Sequence, residues 1–158
     1  MAPIEIDDID RKILSALIMN ARKPYLEIAR ECGVSGAAIH QRVDKLKEAE
    51  VITGSRLLVK PSAIGLNVCV FINISLSEAG RYKDVVEELM KVPEVVECHF
   101  VTGKYTLLVK AYCFDNNHLI NVLIKTIQNI PYIQSTDTMI SLDLAFERQV
   151  WVKDYKQR

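Results

Sequence analysis

Gly36, Ala37, His40, Gln41 and Lys45, with Arg42 at their edge, are residue types suited to gripping a nucleic acid rather than to breaking bonds. Small residues would let a helix backbone approach a duplex closely. His40 and Gln41 carry groups that reach base edges, and Arg42 and Lys45 carry the charge that holds phosphates. These types matter only if one helix presents them together, so the flanking pattern decides. Ile39, Val43 and Leu46 recur at helical spacing on the other side, with Ala49 and Val51 finishing the stripe. Ser35 stands where a helix N-cap is needed, and Gly33 supplies the permissive backbone that ends a preceding helix. That preceding helix is short, with Tyr25, Ile28, Ala29 and Cys32 on one stripe. A helix, a tight glycine turn and a second capped helix match the helix-turn-helix layout. Polar residues on an exposed helix are also simply solvated, and the local pattern leaves both readings open.

Other chemistry finds little support. His40, His99 and His118 fall on three different predicted elements, and none has metal-ligand spacing. His99, just before the Gly103 turn, comes nearest to a functional histidine, but an ordinary sheet residue is the favoured reading. Cys32, Cys69, Cys98 and Cys113 are widely separated in apolar surroundings, which favours buried free thiols over a metal site. No glycine-rich phosphate loop and no nucleophile–base set occurs. The expectation is a protein that is not an enzyme, with no cofactor and no metal.

Composition narrows the class further. Hydrophobic residues make up 49% and charged residues 25% of 158, values of an ordinary globular chain. Net charge is zero, which argues against coating nucleic acid by bulk charge. No apolar run approaches the roughly 18 residues of a membrane span. The acidic start, MAPIEIDDID, lacks a secretory pattern, so the expected location is the cytoplasm, away from membranes.

Read in order, Ile6, Ile9, Ile13 and Leu17 form an apolar helical stripe. Asp7, Asp8 and Asp10 lie in its first turn, where the helix dipole favours negative charge, so helix starting is their expected role. Pro24 closes that helix. After the helix pair, residues 52–60 turn and become strand-like, a small wing that would bring Arg56 near the DNA backbone. From 36 to 60, Arg42, Lys45, Lys47, Arg56 and Lys60 stand against Asp44, Glu48 and Glu50. So slight an excess would bind weakly as a monomer, because phosphate contacts supply most of the affinity. Two copies on half-sites about one DNA turn apart would remedy this.

Residues 61–66 (PSAIGL) break the pattern and mark the expected boundary between a 1–60 DNA-binding domain and a 67–158 domain. Beyond it the period changes to two. Val70, Ile72, Ile74 and Leu76 alternate with Phe71, Asn73, Ser75 and Ser77 in a half-buried strand. A helix carrying Tyr82, Val85, Val86 and Leu89 follows, then a strand with Val96, Cys98 and Phe100 on one face. The Gly103 turn, a third strand to Tyr112, a helix over 118–130 and a strand over 133–144 complete the order β-α-β-β-α-β. The expected fold class is therefore α+β: a winged helix-turn-helix, then a ferredoxin-like sheet domain. Its helix-free face, with Phe71, Val101 and Met139, calls for a cover, and a second copy's sheet is the expected one.

These stretches together carry a resemblance. IDDIDRKILSAL, ARECGVSGAAIHQRVDKLKEAEVITG, KPSAIGL, PEVVECHFVTGKY and IQSTDTMISL resemble the leucine-responsive / asparagine-operon (Lrp/AsnC, or feast/famine) regulators over nearly the whole chain. VTGKYTLLVK and IQNIPYIQSTDT look most like the asparagine-regulator branch. The resemblance implies a sequence-specific transcriptional regulator of double-stranded DNA that responds to a small amino acid. It implies DNA contacts from Ser35, Gly36, Ala37, His40, Gln41, Arg42, Lys45 and Arg56. It implies assembly as a dimer and commonly an octamer of four dimers, with effector pockets between dimers. The matching positions are Gly103, Tyr105, Thr106, Gln128, Gln134, Ser135 and Thr136. Many such regulators carry an acid where this chain has Thr106. The uncharged lining would suit asparagine. An effector-independent DNA-wrapping protein of the same fold is the alternative.

Overall fold

In a computed structural model, residues 5–152 are described, and they fall into two compact units. One contains residues 5–57 and 146–152; the other is Leu58–Ala145. The dividing point thus lies a few residues before the expected 61–66 boundary. The terminal stretch 146–152, expected in the second domain, groups with the helices instead, where Val152 packs against their apolar core.

The helical unit is built on α1 (Asp8–Met19), α2 (Tyr25–Cys32) and α3 (Gly36–Glu48). Each boundary has a local cause. The Asp7 carboxylate accepts the Asp10 N–H at 2.8 Å, and the Asp10 carboxylate accepts the Asp7 N–H at 3.2 Å, a reciprocal capping box. Pro24 precedes α2. Gly33, at φ 69°, ends α2 in the left-handed region, and Ser35 Oγ accepts the Ala38 N–H to start α3. Ile13, Leu14, Ile28, Ala29, Ile39, Val43 and Leu46 meet in one core.

Residues 52–60 depart from expectation. They form no strand, and Leu57 and Leu58 stand exposed. A strand needs a partner ladder, and none of the described residues offers one here. The wing is therefore replaced by an irregular segment leading to a 3₁₀ turn, Pro61–Ile64, closed by Gly65 at φ 88°.

The second unit has β1 (Val68–Leu76), α4 (Tyr82–Leu89), β2 (Val95–Phe100), β3 (Leu107–Cys113), α5 (Asn116–Asn121) and β4 (Ile133–Ser141). The strands pair antiparallel in the order β2-β3-β1-β4, as the β-α-β-β-α-β reading requires. Val70, Ile72, Ile74 and Leu76 of β1 and Leu107, Val109, Ala111 and Cys113 of β3 face the helices. Val85, Leu89, Leu119, Val122 and Ile127 cover them.

Two local departures have physical causes. A register shift between Val95 and Glu97 inserts one residue, so Val95 rather than Val96 faces the core along with Cys98. The stretch expected as one helix over 118–130 changes pitch instead. α5 widens to a π-helical turn at Val122–Thr126 and tightens to a 3₁₀ turn at Ile127–Asn129. The wider turn delivers Val122 and Ile127, five residues apart, to the same core.

On the other sheet face, Phe71 lies opposite Lys110 and Met139, and Asn73 opposite Leu108 and Asp137. Lys110 crosses the Tyr112 ring at 5.6 Å and reaches Glu97 at 3.4 Å. No element of this unit covers that face.

Ile72 is wholly buried on the central strand. Ile72→Ala is expected to cost about 2–5 kcal/mol, read as a lower urea midpoint with unchanged slope. A loss under about 0.5 kcal/mol would mean the site collapses around the smaller side chain, or that the core is elsewhere.

Candidate functional site

Helix α3 sorts its side chains sharply. Ile39, Val43 and Leu46 are buried, whereas Ala37, His40, Gln41, Asp44 and Lys45 are exposed. Positions 37, 41 and 45 follow one i, i+4 row, and 40 and 44 the next, so these side chains share a face. The His40 ring meets Tyr25 edge-on at 4.6 Å, which leaves an aromatic flank beside Gln41. Gly36 is half-buried, and a Cβ there would sit 3.9 Å from Leu26, within ordinary contact. Ser35 is occupied by capping the helix. The first turn of α3 carries no acidic residue, so its free N–H groups present partial positive charge, and Lys45 and Lys47 lie in the last turn.

Arg42 does not join this face as expected of a phosphate ligand. Its Nη1 donates to Asp7 Oδ2 at 2.7 Å and to Asp10 Oδ1 at 2.8 Å, two carboxylates at the start of α1. The three acids foreseen only as helix starters include both partners. Sequence reasoning missed the link because the pairs span 35 and 32 residues. Arg56 is likewise not on a wing; it is exposed on the irregular segment after α3. Of the expected DNA-facing set, the fold brings Ala37, His40, Gln41 and Lys45 together at the surface, with Gly36 and Ser35 at the helix start.

The second set is divided between the two faces of the sheet, at the β2–β3 turn and at the start of β4. Gly103 makes that turn at φ 113° and is exposed. Thr106 accepts the Val101 N–H at 3.0 Å through its carbonyl, and its own N–H donates to Ile74 at 2.9 Å. Gln128 Nε2 donates to Thr136 Oγ1 at 2.8 Å. Tyr105 Oη donates to Asp137 Oδ2 at 2.8 Å. Thr136 pairs with core-facing Ile74 and Asp137 with Asn73, so the two contacts lie on opposite faces of β4. Gln134 and Ser135 are exposed just before them, Ser135 opposite Ser75 at a register shift.

Three residues here escaped the sequence reading. Asp137 is the one carboxylate of β4, and strand alternation alone would have separated it from Thr136. Tyr132, at φ 71°, fixes the approach to β4. Its carbonyl accepts the Ser77 N–H at 2.9 Å, and its ring lies 4.6 Å under the Arg81 guanidinium. Arg81 Nη2 also donates to the Tyr132 hydroxyl at 2.8 Å. Several contacts thus hold a backbone conformation that L-residues rarely adopt.

A capped helix pair with an exposed polar face, joined in one chain to a four-stranded ferredoxin-like unit, defines a DNA-binding regulator with an appended ligand-binding domain. The comparisons agree in both halves. Residues 6–47 match the AsnC-type helix-turn-helix domain, and residues 69–151 the Lrp/AsnC ligand binding domain. The regulatory protein AsnC of Escherichia coli K12 is 43% identical over 145 residues, covering 92% of this chain and 95% of its own length. The HTH-type transcriptional regulator FL11 of Pyrococcus furiosus is 36% identical, covering 87% and 89%. The solved structure of E. coli AsnC superposes with a TM-score of 0.88 at 42% identity, over 93% of this chain and 99% of that one. A feast or famine regulatory protein from M. tuberculosis, complexed with L-methionine, gives a TM-score of 0.86 at 25% identity, over 93% and 99%. The chain belongs to the Lrp/AsnC family of transcriptional regulators. Its relatives are regulators rather than enzymes, and none of its described helices is long and apolar enough to cross a membrane.

The capping contacts have a pH consequence. The Asp10 N–H, and then the Arg42 guanidinium, hold the Asp7 carboxyl below its ordinary value of 3.8. A carboxyl more acidic in the folded chain than in the unfolded one favours folding while ionised. That contribution is complete above the unfolded pKa and is lost as pH falls through the lower folded value. Acid titration followed by helical circular dichroism should therefore show a steeper loss of stability below about pH 4 in the wild type than in Asp7→Asn. Identical profiles would mean that Asp7 is not acidified by folding.

Proposed function

We propose that the exposed row Ala37, Gln41 and Lys45, with His40 beside it, enters the DNA major groove. Gln41 and His40 would read base edges, and Lys45 would hold a phosphate. The observation that carries this reading is the separation on α3 between a fully buried apolar side and an outward polar side exposed to solvent. With Arg42 engaged by Asp7 and Asp10, the helix offers only Lys45 and Lys47 near Asp44 and Glu48. One copy would grip DNA feebly, so the reading requires a homo-oligomer. The open sheet face, with Phe71, Leu108, Tyr112 and half-exposed Met139, supports a dimer contact there, and octamers built from dimers follow the family resemblance.

The same proposal takes the cluster around Gly103, Tyr105, Thr106, Gln128, Gln134, Ser135 and Thr136 as the site of a small amino-acid effector. The relative complexed with L-methionine supports the ligand class. Exposed N–H groups at the Gly103 turn suit an α-carboxylate, and the amide and hydroxyl groups suit a polar side chain such as that of asparagine. Thr106 has no charge to offer an ammonium group, but Asp137, held by Tyr105, does.

Two measurements test these assignments. Replacing Gln41 with Ala should weaken binding to a selected duplex by about 1–3 kcal/mol and relax sequence preference at one position. Replacing Lys45 should weaken all duplexes alike and lower the salt slope by about one. If both variants bind as the wild type does, another surface reads the DNA. Isothermal titration against the twenty amino acids should give heat from a small polar one, lost in Asp137→Asn. Heat from none would reject the effector and favour a DNA-wrapping protein that needs no ligand.

A further inference from the structure

We propose that Arg42 is a positioning residue for the reading helix, setting the rotation and depth of α3 through Asp7 and Asp10 rather than touching DNA. The inference rests on the helix-turn-helix identity and on four observations within the helical unit. Asp10 is 8% exposed, the one charged residue buried among those described. A carboxylate so placed needs a charged or strongly donating partner. Arg42 Nη1 supplies it, directing its two hydrogens to Asp10 and Asp7 at 2.8 and 2.7 Å. Both acceptors are already oriented, since each caps the backbone of the other. Each holds its orientation through a contact that does not involve Arg42.

The apolar contacts of Ile39, Val43 and Leu46 hold α3 to its core but are weakly directional, so they tolerate small rotations or slides of the helix. A charge-assisted contact from one nitrogen to two fixed carboxylates does not. Arg42 is next in sequence to Gln41 and three residues from Lys45, so its tether acts where register matters most. The cluster also carries one positive and two negative charges, a poor surface for a phosphate. The arginine is therefore tied to α1 by its own electrostatics.

The test uses the full chain and two probes: a duplex that the wild type selects from random sequence, and a scrambled duplex of equal composition. Affinities are measured across a salt series at a temperature where each variant is folded by circular dichroism. Arg42→Gln and Asp10→Asn should each weaken the selected duplex by about tenfold, the cost of one misplaced base contact. Each should change the scrambled duplex less than about twofold and leave the salt slope at its wild-type value. Asp7→Asn, which spares the buried charge, should show the same pattern if Asp10→Asn does not fold.

The sign for the acids is decisive, because removing a negative charge near DNA ordinarily tightens binding. Tighter binding by Asp10→Asn or Asp7→Asn overturns the proposal. So does an equal loss on both duplexes in Arg42→Gln with a slope shallower by about 0.9, the mark of a phosphate ligand. A lower melting temperature with unchanged affinity for the selected duplex reduces the cluster to stability alone, and overturns it as well. Failure of the wild type to select any duplex would instead reject the DNA-reading assignment beneath it.

Discussion

A carboxylate taken out of water must be matched by a donor held in place, and Asp10 imposes that condition on the helical unit. Its backbone and side chain close the first turn of α1 with Asp7. Its other oxygen draws Arg42 across from α3. One buried acid thus connects the start of the first helix to the middle of the third. The apolar residues of α1, α2 and α3 supply the bulk of the cohesion. They do not by themselves distinguish between nearby rotations of α3. The ion pairs do, and they leave the outward row of Ala37, Gln41 and Lys45 facing solvent.

The sheet unit solves a different problem. Its central strands bury alternate residues under α4 and the irregular α5 region, and the other face keeps Phe71, Tyr112 and Met139 at a surface that is only partly polar. If α3 reads DNA as proposed, so weakly basic a helix would gain from being brought to the duplex in several copies. In the proposed function the open sheet face serves that assembly, and the turn at Gly103 with the start of β4 serves the ligand. The Tyr132 carbonyl, ring and hydroxyl are each held, which keeps the approach to those groups fixed.

Much of this was legible in the chain. The stripe at Ile39, Val43 and Leu46, the cap at Ser35 and the glycine at 33 depend on neighbours within a turn or two. The alternation through Val70 to Leu76 likewise gave β1 its faces. What failed was nonlocal or broke a period. The segment 52–60 has strand-like residues but no partner strand among the described residues. One inserted residue in β2 exchanged Val96 for Val95 on the core face. The π turn at Val122–Thr126 cannot be read from a 3.6-residue stripe, because the core accepts either pitch if apolar groups arrive.

By itself the sequence determined the order of the main elements, their caps, and which residues were candidates to read or hold DNA. Those properties follow from backbone hydrogen bonding and side-chain period, which act over a few residues. Tertiary structure decided which of the candidates are free to do so. Arg42 and Lys45 look equivalent in the chain, three residues apart on one helix, yet only Lys45 is left to solvent. Asp137 looks like one more polar residue of a strand until Tyr105 reaches it. In both cases the deciding partner lies about thirty residues away, 32 for Arg42 with Asp10 and 32 for Tyr105 with Asp137. Charge and hydrogen-bonding capacity belong to the residue, but whether they are satisfied depends on what folding brings beside it.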